Sequence, residues 1–340
     1  MNEKLHLIGT QDTEQLTMDI VRYISQQFGQ VVSYEIVQYD EFANGETRVQ
    51  LNESVRGKHN YIIFDVNGKK DIDGKVIKYN DRLLQALLLA KCAKGHGAKT
   101  INMVPTTFPY WRQDKITQWG HKEKKIREPY SAQFIKDIFQ DILKTDYCMT
   151  IDVHNPASLS DSGQTNFLNL YTGRFVKQAI EATGKEWILL CPMDQGGDKK
   201  ISGIAKDLHL DYCNVIKKRA TLIANKVEEI RVYGDIENKD ILIHDDILDT
   251  GGSLVTLIDE LQKQHPRSIN IAITHGMFNK NAIEKLQELH NQKLFEYIYV
   301  TNAVYREWLP SFVKTIDTSK LWGNTILSIF KGESINHDNG

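Results

Sequence analysis

Cysteine is scarce in this chain. Four cysteines in 340 residues, with no Cys-x-x-Cys spacing, supply neither a disulfide framework nor a zinc signature. Cys92, Cys148, Cys191 and Cys213 stand mostly in apolar runs and read as buried thiols of a reducing compartment. Long hydrophobic runs are missing too: no stretch approaches the roughly 20 residues that span a bilayer. The opening MNEKLHLIGTQ carries no signal-peptide hydrophobic region, so a cytoplasmic protein is expected, without a membrane partner. Neither sign of charge dominates, with Lys plus Arg at 42 and Asp plus Glu at 44, and a net charge of −2 offers no basic surface for nucleic acid. Low-complexity tracts are absent, and only residues 333–340 read as a frayed tail.

What is present is an ordinary globular composition, 41% hydrophobic and 25% charged, in a chain long enough for two cores. Short aliphatic runs at 5–8, 61–66, 100–104, 149–153, 187–191, 241–244, 269–274 and 297–300 alternate with helical patterns at 12–27, 81–94, 131–143, 173–183, 252–264 and 282–291. Apolar runs of this length, separated by helices, indicate strands buried on both faces of parallel sheets. The expected fold class is α/β, with two doubly wound parallel-sheet domains. The first is expected at 1–169 and the second at 170–317, with 318–331 returning to the first. Residues 69–78 are a polar, glycine-containing insertion, expected as a surface hairpin or loop. Dense charge at 113–125 and 217–227 reads, taken alone, as solvated loop.

The most informative segment is 241–254, ILIHDDILDTGGSL. It reads as a buried strand that empties into a glycine-bearing turn opening a helix. Such a turn presents unpaired backbone N–H groups at the positive end of the helix dipole, a ready phosphate site. Gly251 and Gly252 permit close approach of the backbone, while Thr250 and Ser253 add hydroxyl donors. Asp245 and Asp246 suit sugar hydroxyls or a cation rather than the phosphate itself. The plain alternative is a strand–turn–helix with a capping side chain and two solvated acids. Asp249–Ser253 with the acid pair resembles the ribose-5-phosphate-binding loop shared by type I phosphoribosyltransferases and ribose-phosphate diphosphokinases (PRPP synthetases), and cannot by itself separate the two.

Further motifs resemble the PRPP synthetases in order and at similar spacing. Phe42-Ala43-Asn44-Gly45-Glu46 is similar to the family's F-x-D/N-G-E loop, which implies a loop lent by a neighbouring subunit, with Phe42 stacked on adenine and Asn44 and Glu46 on its edge. An Asn-Gly hairpin is the plain reading of the same residues, and both can hold together. The segment 105–115, PTTFPYWRQDK, resembles P-Y-x-x-Y-x-R-Q-D, which implies that Arg112, Gln113 and Asp114 contact ATP, with Arg112 on the triphosphate. Asp152-Val153-His154 resembles V-D-L-H, implying that His154 helps to place magnesium-bound ATP, and Pro192-Met193-Asp194-Gln195-Gly196-Gly197 resembles S-P-D-x-G-G, implying a magnesium role for Asp194. Lys217-Lys218-Arg219 resembles the K-x-R of a catalytic loop: spacing selects Lys217 with Arg219, whereas alignment from the preceding apolar residues selects Lys218 with Arg219.

The resemblance runs from Leu5 to about Phe330. It departs at 155–163, at Lys200 where arginine is usual, at Ser253 where threonine is usual, and in the 69–78 insertion. These departures surround the acceptor rather than ATP. The resemblance therefore implies transfer of the β,γ-pyrophosphoryl group of Mg-ATP to the 1-hydroxyl of ribose 5-phosphate, with Mg2+ as cofactor and a homo-oligomer, from dimer to hexamer. Two alternatives stay open: a pyrophosphokinase acting on a larger ester such as ADP-ribose, and a non-catalytic regulatory paralogue.

Overall fold

A computed structural model describes residues 4–29, 32–68, 71–72, 75–113, 120–121, 124–125, 128–159, 164–218 and 229–335. Asp114 and Arg219 lie outside these residues, and for Lys217 and Lys218 only the backbone is described. The chain divides into two compact units: Met1–Tyr171 with Ala303–Glu307 and Thr318–Gly340, and Thr172–Asn302 with Trp308–Asp317.

In the first unit, β1 (Leu5–Thr10) leads through α1 (Glu14–Phe28) to β2 (Ser33–Val37), then to a small hairpin of β3 (Asp40–Glu41) and β4 (Thr47–Arg48). Next come β5 (His59–Phe64), the hairpin β6 (Asp71–Ile72) and β7 (Lys75–Val76), α2 (Tyr79–Gly95) and β8 (Thr100–Pro105). A third hairpin, β9 (Gly120–His121) and β10 (Lys124–Lys125), precedes α3 (Ser131–Asp137), β11 (Tyr147–Ile151) and β12 (Asn166–Leu170). Six strands form one parallel sheet in the order β12-β11-β8-β5-β1-β2. The expected insertion is the β6–β7 hairpin, and the helix expected at 131–143 is α3 continued by a wider π turn, Ile138–Ile142.

The second unit holds α4 (Gly173–Thr183), β13 (Ile188–Pro192), α5 (Asp198–Leu208), the hairpin β14 (Asn214–Lys218) and β15 (Glu229–Tyr233), and β16 (Asp240–Leu248). It continues with α6 (Gly252–Gln262), β17 (Ser268–Gly276), α7 (Ala282–Asn291), β18 (Ile298–Thr301) and β19 (Val313–Ile316). Its five-stranded sheet is parallel, in the order β13-β16-β17-β18-β19. One face packs Leu254, Leu257, Leu261 and Leu286, from α6 and α7, over Ile241, Ile243 and Ile271. The other packs Phe175, Val176, Ile201 and Ile204, from α4 and α5, over Leu190 and Leu242.

Helix α8 (Ser319–Lys331) belongs to the first unit and packs on α1. A Cβ at Gly323 would come within 2.6 Å of the Tyr23 ring, so only glycine allows this approach. Trp322 is fully buried in the same core as Leu7, Ile20, Tyr61 and Ala303, and its indole N–H donates to the Thr318 hydroxyl at 3.0 Å.

That unit also buries charge. Asp12 and Arg82 form an ion pair at 2.9 Å with both side chains 2% exposed. Asp65, just past β5, accepts from the backbone N–H of Asn67 at 2.8 Å and of Tyr305 at 3.1 Å, which fastens the 303–307 segment. Burial pushes the Asp65 carboxyl from 3.8 up to about 6, against the opposing pull of Arg306. The folded chain therefore holds this proton over a range, from about pH 4 to about pH 6, where the unfolded chain has lost it, and the contribution of Asp65 to stability falls as pH rises through that window. Asp65→Asn, uncharged throughout, should flatten the decline of Tm over that range. Equal slopes for the two proteins would contradict the assignment.

Candidate active site

In the second unit, β16 runs four residues beyond the expected strand, because its pairing with β17 continues through Asp245 opposite Ile273 and Ile247 opposite His275. Asp245 and Asp246 thus lie inside the carboxyl end of the strand. Burial, and then the charge of Asp246, push the Asp245 carboxyl well above the usual range, with Lys200 the opposing cation. The Asp246 N–H donates to Asp245 Oδ1 at 3.0 Å. Two adjacent carboxyls, one held above its normal range, form an acceptor pair that sugar hydroxyls or a cation would satisfy.

The turn follows. Asp249 is held by Asn279, whose side-chain amide donates to Asp249 Oδ1 at 2.8 Å and whose backbone N–H donates to Asp249 O at 2.8 Å. Gly251 has φ +76° and caps α6 in the left-handed conformation that glycine adopts without strain. No side chain caps the N-terminus of α6, and a Cβ at Gly252 would meet nothing within 4 Å. Together with half-buried Thr250 and exposed Ser253, these are the elements of an anion cradle: open backbone, helix dipole and flanking hydroxyls.

Past β13, Asp194 caps a single 3-10 turn, Gln195–Gly197. Its Oδ1 accepts from the N–H groups of Gly196 at 2.8 Å and Gly197 at 3.3 Å, while Oδ2 takes neither. One oxygen is thereby left for a hard cation. Asp198, the next acid, opens α5. Burial and the charge of Asp194 raise its carboxyl, against an opposing pull from the Val215 backbone. The strand β14 pairs with β15, Val215 opposite Val232, and ends at Lys217 and Lys218.

In the first unit, β3 and β4 form the expected hairpin: Phe42 N–H donates to Glu46 O at 2.9 Å, Glu46 N–H donates to Asn44 Oδ1 at 3.2 Å, and Gly45 takes φ +86°. The Phe42 ring is 52% exposed, with the Arg48 guanidinium 5.6 Å from its centroid. An exposed ring stiffened by a cation is a stacking platform for a flat heterocycle. Strands β8 and β11 are neighbours, so the loops that leave their carboxyl ends start side by side. The first carries exposed Arg112 and also Gln113, whose Oε1 accepts the Ser131 hydroxyl at 2.5 Å. The second carries exposed His154, two residues past Asp152 at φ +49°.

Asp245, Asp246, Asp249, Thr250, Gly251, Gly252 and Ser253 thus share one strand end and loop, with Lys200 acting on the acid pair. His154 and Asp194, expected at one metal, belong to different units. Asn279 and Asp198 are parts of the site that the sequence motifs did not single out. Asn279 lies just past β17, while Asp198 lies two residues before the departure at Lys200.

Residues 5–142 match the family model for the N-terminal domain of ribose phosphate pyrophosphokinase, and residues 205–338 match that for a phosphoribosyl synthetase-associated domain. A ribose-phosphate pyrophosphokinase of Mycoplasma genitalium is 28% identical over 334 residues, covering 96% of this chain and 91% of the relative. Ribose-phosphate pyrophosphokinase 4 of Saccharomyces cerevisiae is 30% identical over 320 residues, covering 94% and 91%. The crystal structure of phosphoribosylpyrophosphate synthetase from Mycobacterium smegmatis shares the fold, with a TM-score of 0.79 at 23% identity over 97% of this chain and 100% of that one.

The loop makes a direct prediction. Gly251→Ala imposes about 1–2 kcal/mol of left-handed strain, which the free loop relieves by relaxing away from the cradle. Affinity for inorganic phosphate, measured by calorimetry, should fall about tenfold. An unchanged affinity would remove the α6 turn from anion binding.

Proposed function

Because the chain belongs to the ribose-phosphate pyrophosphokinase family, we propose that it transfers the β,γ-diphosphoryl group of ATP to the 1-hydroxyl of ribose 5-phosphate, giving 5-phosphoribosyl 1-diphosphate (PRPP) and AMP. The observation that carries this reading is the span of the similarity: a 30% identical relative covers 94% of the chain, so both units match and not only the phosphate loop. The curated relatives compared are named for ribose phosphate, and nothing favours a larger ester or a regulatory paralogue.

The acceptor's own hydroxyl is the nucleophile. Its oxygen bonds to the β-phosphorus of ATP, the bond from that phosphorus to the α,β-bridging oxygen breaks, AMP leaves, and the hydroxyl proton goes to solvent. The α6 turn, Asp249–Ser253, holds the 5-phosphate, and Asp245 and Asp246 accept the ribose hydroxyls. Phe42 stacks on adenine, Asn44 and Glu46 meet its edge, and Arg112 and Gln113 approach the triphosphate. His154 also serves the ATP side. The carboxylate of Asp194 fits Mg2+, whereas an imidazole is a poor ligand for that ion, so His154 acts as a hydrogen-bonding group. Bound Mg2+ supplies charge neutralisation on the phosphates. Lys217 or Lys218, with Arg219, adds positive charge to the transferring group. The adenine hairpin, if lent between subunits, requires at least a homodimer.

AMP release at fixed ATP and Mg2+ tests both acceptor and lysines. Ribose 5-phosphate should support turnover far better than ADP-ribose or ribose, and a higher kcat/KM with ADP-ribose would contradict the acceptor assignment. Of Lys217→Ala and Lys218→Ala, one should lower kcat by about 10²-fold or more with little change in ATP affinity. Two fully active variants would take this strand end out of the chemistry.

A further inference from the structure

The hairpin of β3 and β4 stands on two arms. The entry arm leaves β2 at Val37, and buried amide side chains hold it: Gln11 Oε1 accepts from the Tyr39 N–H at 2.7 Å, and Gln85 Nε2 donates to Gln38 O at 3.1 Å. The exit arm, residues 49–54, forms neither helix nor strand. Among the described residues, its backbone N–H groups reach the protein at two places, Asn52 at 2.9 Å and Glu53 at 3.4 Å. Both donate to Glu35 Oε2.

Glu35 lies on the edge strand β2, with its side chain 8% exposed. Its other oxygen, Oε1, faces Nε2 of fully buried His6 at 3.4 Å. Nδ1 of that ring lies 2.8 Å from the Ser33 hydroxyl, which donates to Leu5 O and so accepts from His6. The imidazole is thus fixed between β1 and β2, and it fixes the carboxyl: one oxygen is held at the sheet, the other is turned to the exit arm. Although burial works against the charge, His6 and the two backbone N–H groups hold the Glu35 carboxyl below its usual range. Ser33, Glu35 and Val37 alternate onto one face of β2, where an apolar side chain would avoid the cost of burying a charge. A carboxylate does there what an apolar residue cannot. It satisfies two N–H groups of an arm that has no ladder of its own.

We propose that Glu35 is a positioning residue for ATP: by holding the exit arm at Asn52 and Glu53, it fixes how the hairpin presents Phe42, Asn44 and Glu46 to adenine. This rests on the reading of that hairpin as the adenine platform. Glu35 stands at the root of the hairpin and acts through its backbone. Its reach and its acceptor oxygen do the positioning, so an amide of the same length should replace it and a shorter acid should not. The effect falls on the base and leaves the phosphates and the sugar alone.

The experiment compares Glu35→Ala, Glu35→Gln, Glu35→Asp and Phe42→Ala in the full-length enzyme, measuring kcat, KM for ATP and ribose 5-phosphate, and kcat/KM with ATP against GTP. Glu35→Ala should raise KM for ATP about tenfold and narrow the preference for ATP over GTP. Its kcat at saturating ATP and its KM for ribose 5-phosphate should stay close to wild type. Glu35→Gln should keep KM for ATP near wild type, whereas Glu35→Asp, one methylene short, should behave like Ala. A wild-type KM and base preference in Glu35→Ala overturn the proposal. So does an Ala variant that loses kcat and both KM values together, which would make Glu35 a residue of the fold alone. If Phe42→Ala keeps its KM for ATP and its base preference, the adenine reading of the hairpin fails and the proposal with it. If Phe42→Ala loses them while the Glu35 variants do not, the reading stands and the proposal alone falls. Should Glu35→Ala not fold, Glu35→Asp against Glu35→Gln decides, and equal KM values for ATP in the two would sink the proposal.

Discussion

Parallel strands put chemistry at one end. In both sheets every neighbouring pair is parallel, so all carboxyl ends lie at the same edge and every return segment leaves from there. The interior of each strand is committed to burial on two faces, as in Leu190, Leu242 and Ile271, and tolerates little polar chemistry. The polar residues proposed for the nucleotide and the sugar phosphate lie instead at strand ends and in the segments that follow β2, β8, β11, β13 and β16. The backbone of those loops is bent accordingly: Tyr110 at φ +58°, Asp152 at +49° and Gly251 at +76° each stand just past a strand end. Positive φ at non-glycine residues is held only where surrounding structure imposes it, and such positions gather at functional loops.

Charge within the core follows the same economy. The Asp12–Arg82 pair and doubly hydrogen-bonded Asp65 are matched with partners near the ends of β1 and β5. In the second unit, Asp245 and Asp246 are instead crowded together, with Lys200 as the opposing cation. The first arrangement ties the 303–307 segment into its unit. The second crowds two acids at a strand end, which is what a polyhydroxylated or cationic ligand would stabilise.

The sequence made the central strands legible and three of the four sheet edges illegible. Runs such as Ile241–Ile243 and Ile271–Ile273 are apolar because helices cover both faces. The unread strands β2, β12 and β19 are the sheet edges, with the mixed exposure of SYEIV, NFLNL and VKTI. Helix α5 escaped because it begins Asp-Lys-Lys, and its apolar face, Ile201, Ile204 and Ala205, is short. At the site, the glycine turn and the Asn-Gly hairpin were readable from local chemistry. The partner that holds the turn, Asn279 on Asp249, was not, since it depends on a contact between segments distant in sequence.

The central claim is that a diphosphoryl group moves intact to the sugar. ATP labelled at the β-phosphorus, incubated with the enzyme, Mg2+ and ribose 5-phosphate, tests it directly by 31P NMR or chromatography of the products. The account predicts that the label appears in the diphosphate of 5-phosphoribosyl 1-diphosphate, with unlabelled AMP released in equal amount. Label recovered in ADP, with a single phosphate on the sugar, would contradict it.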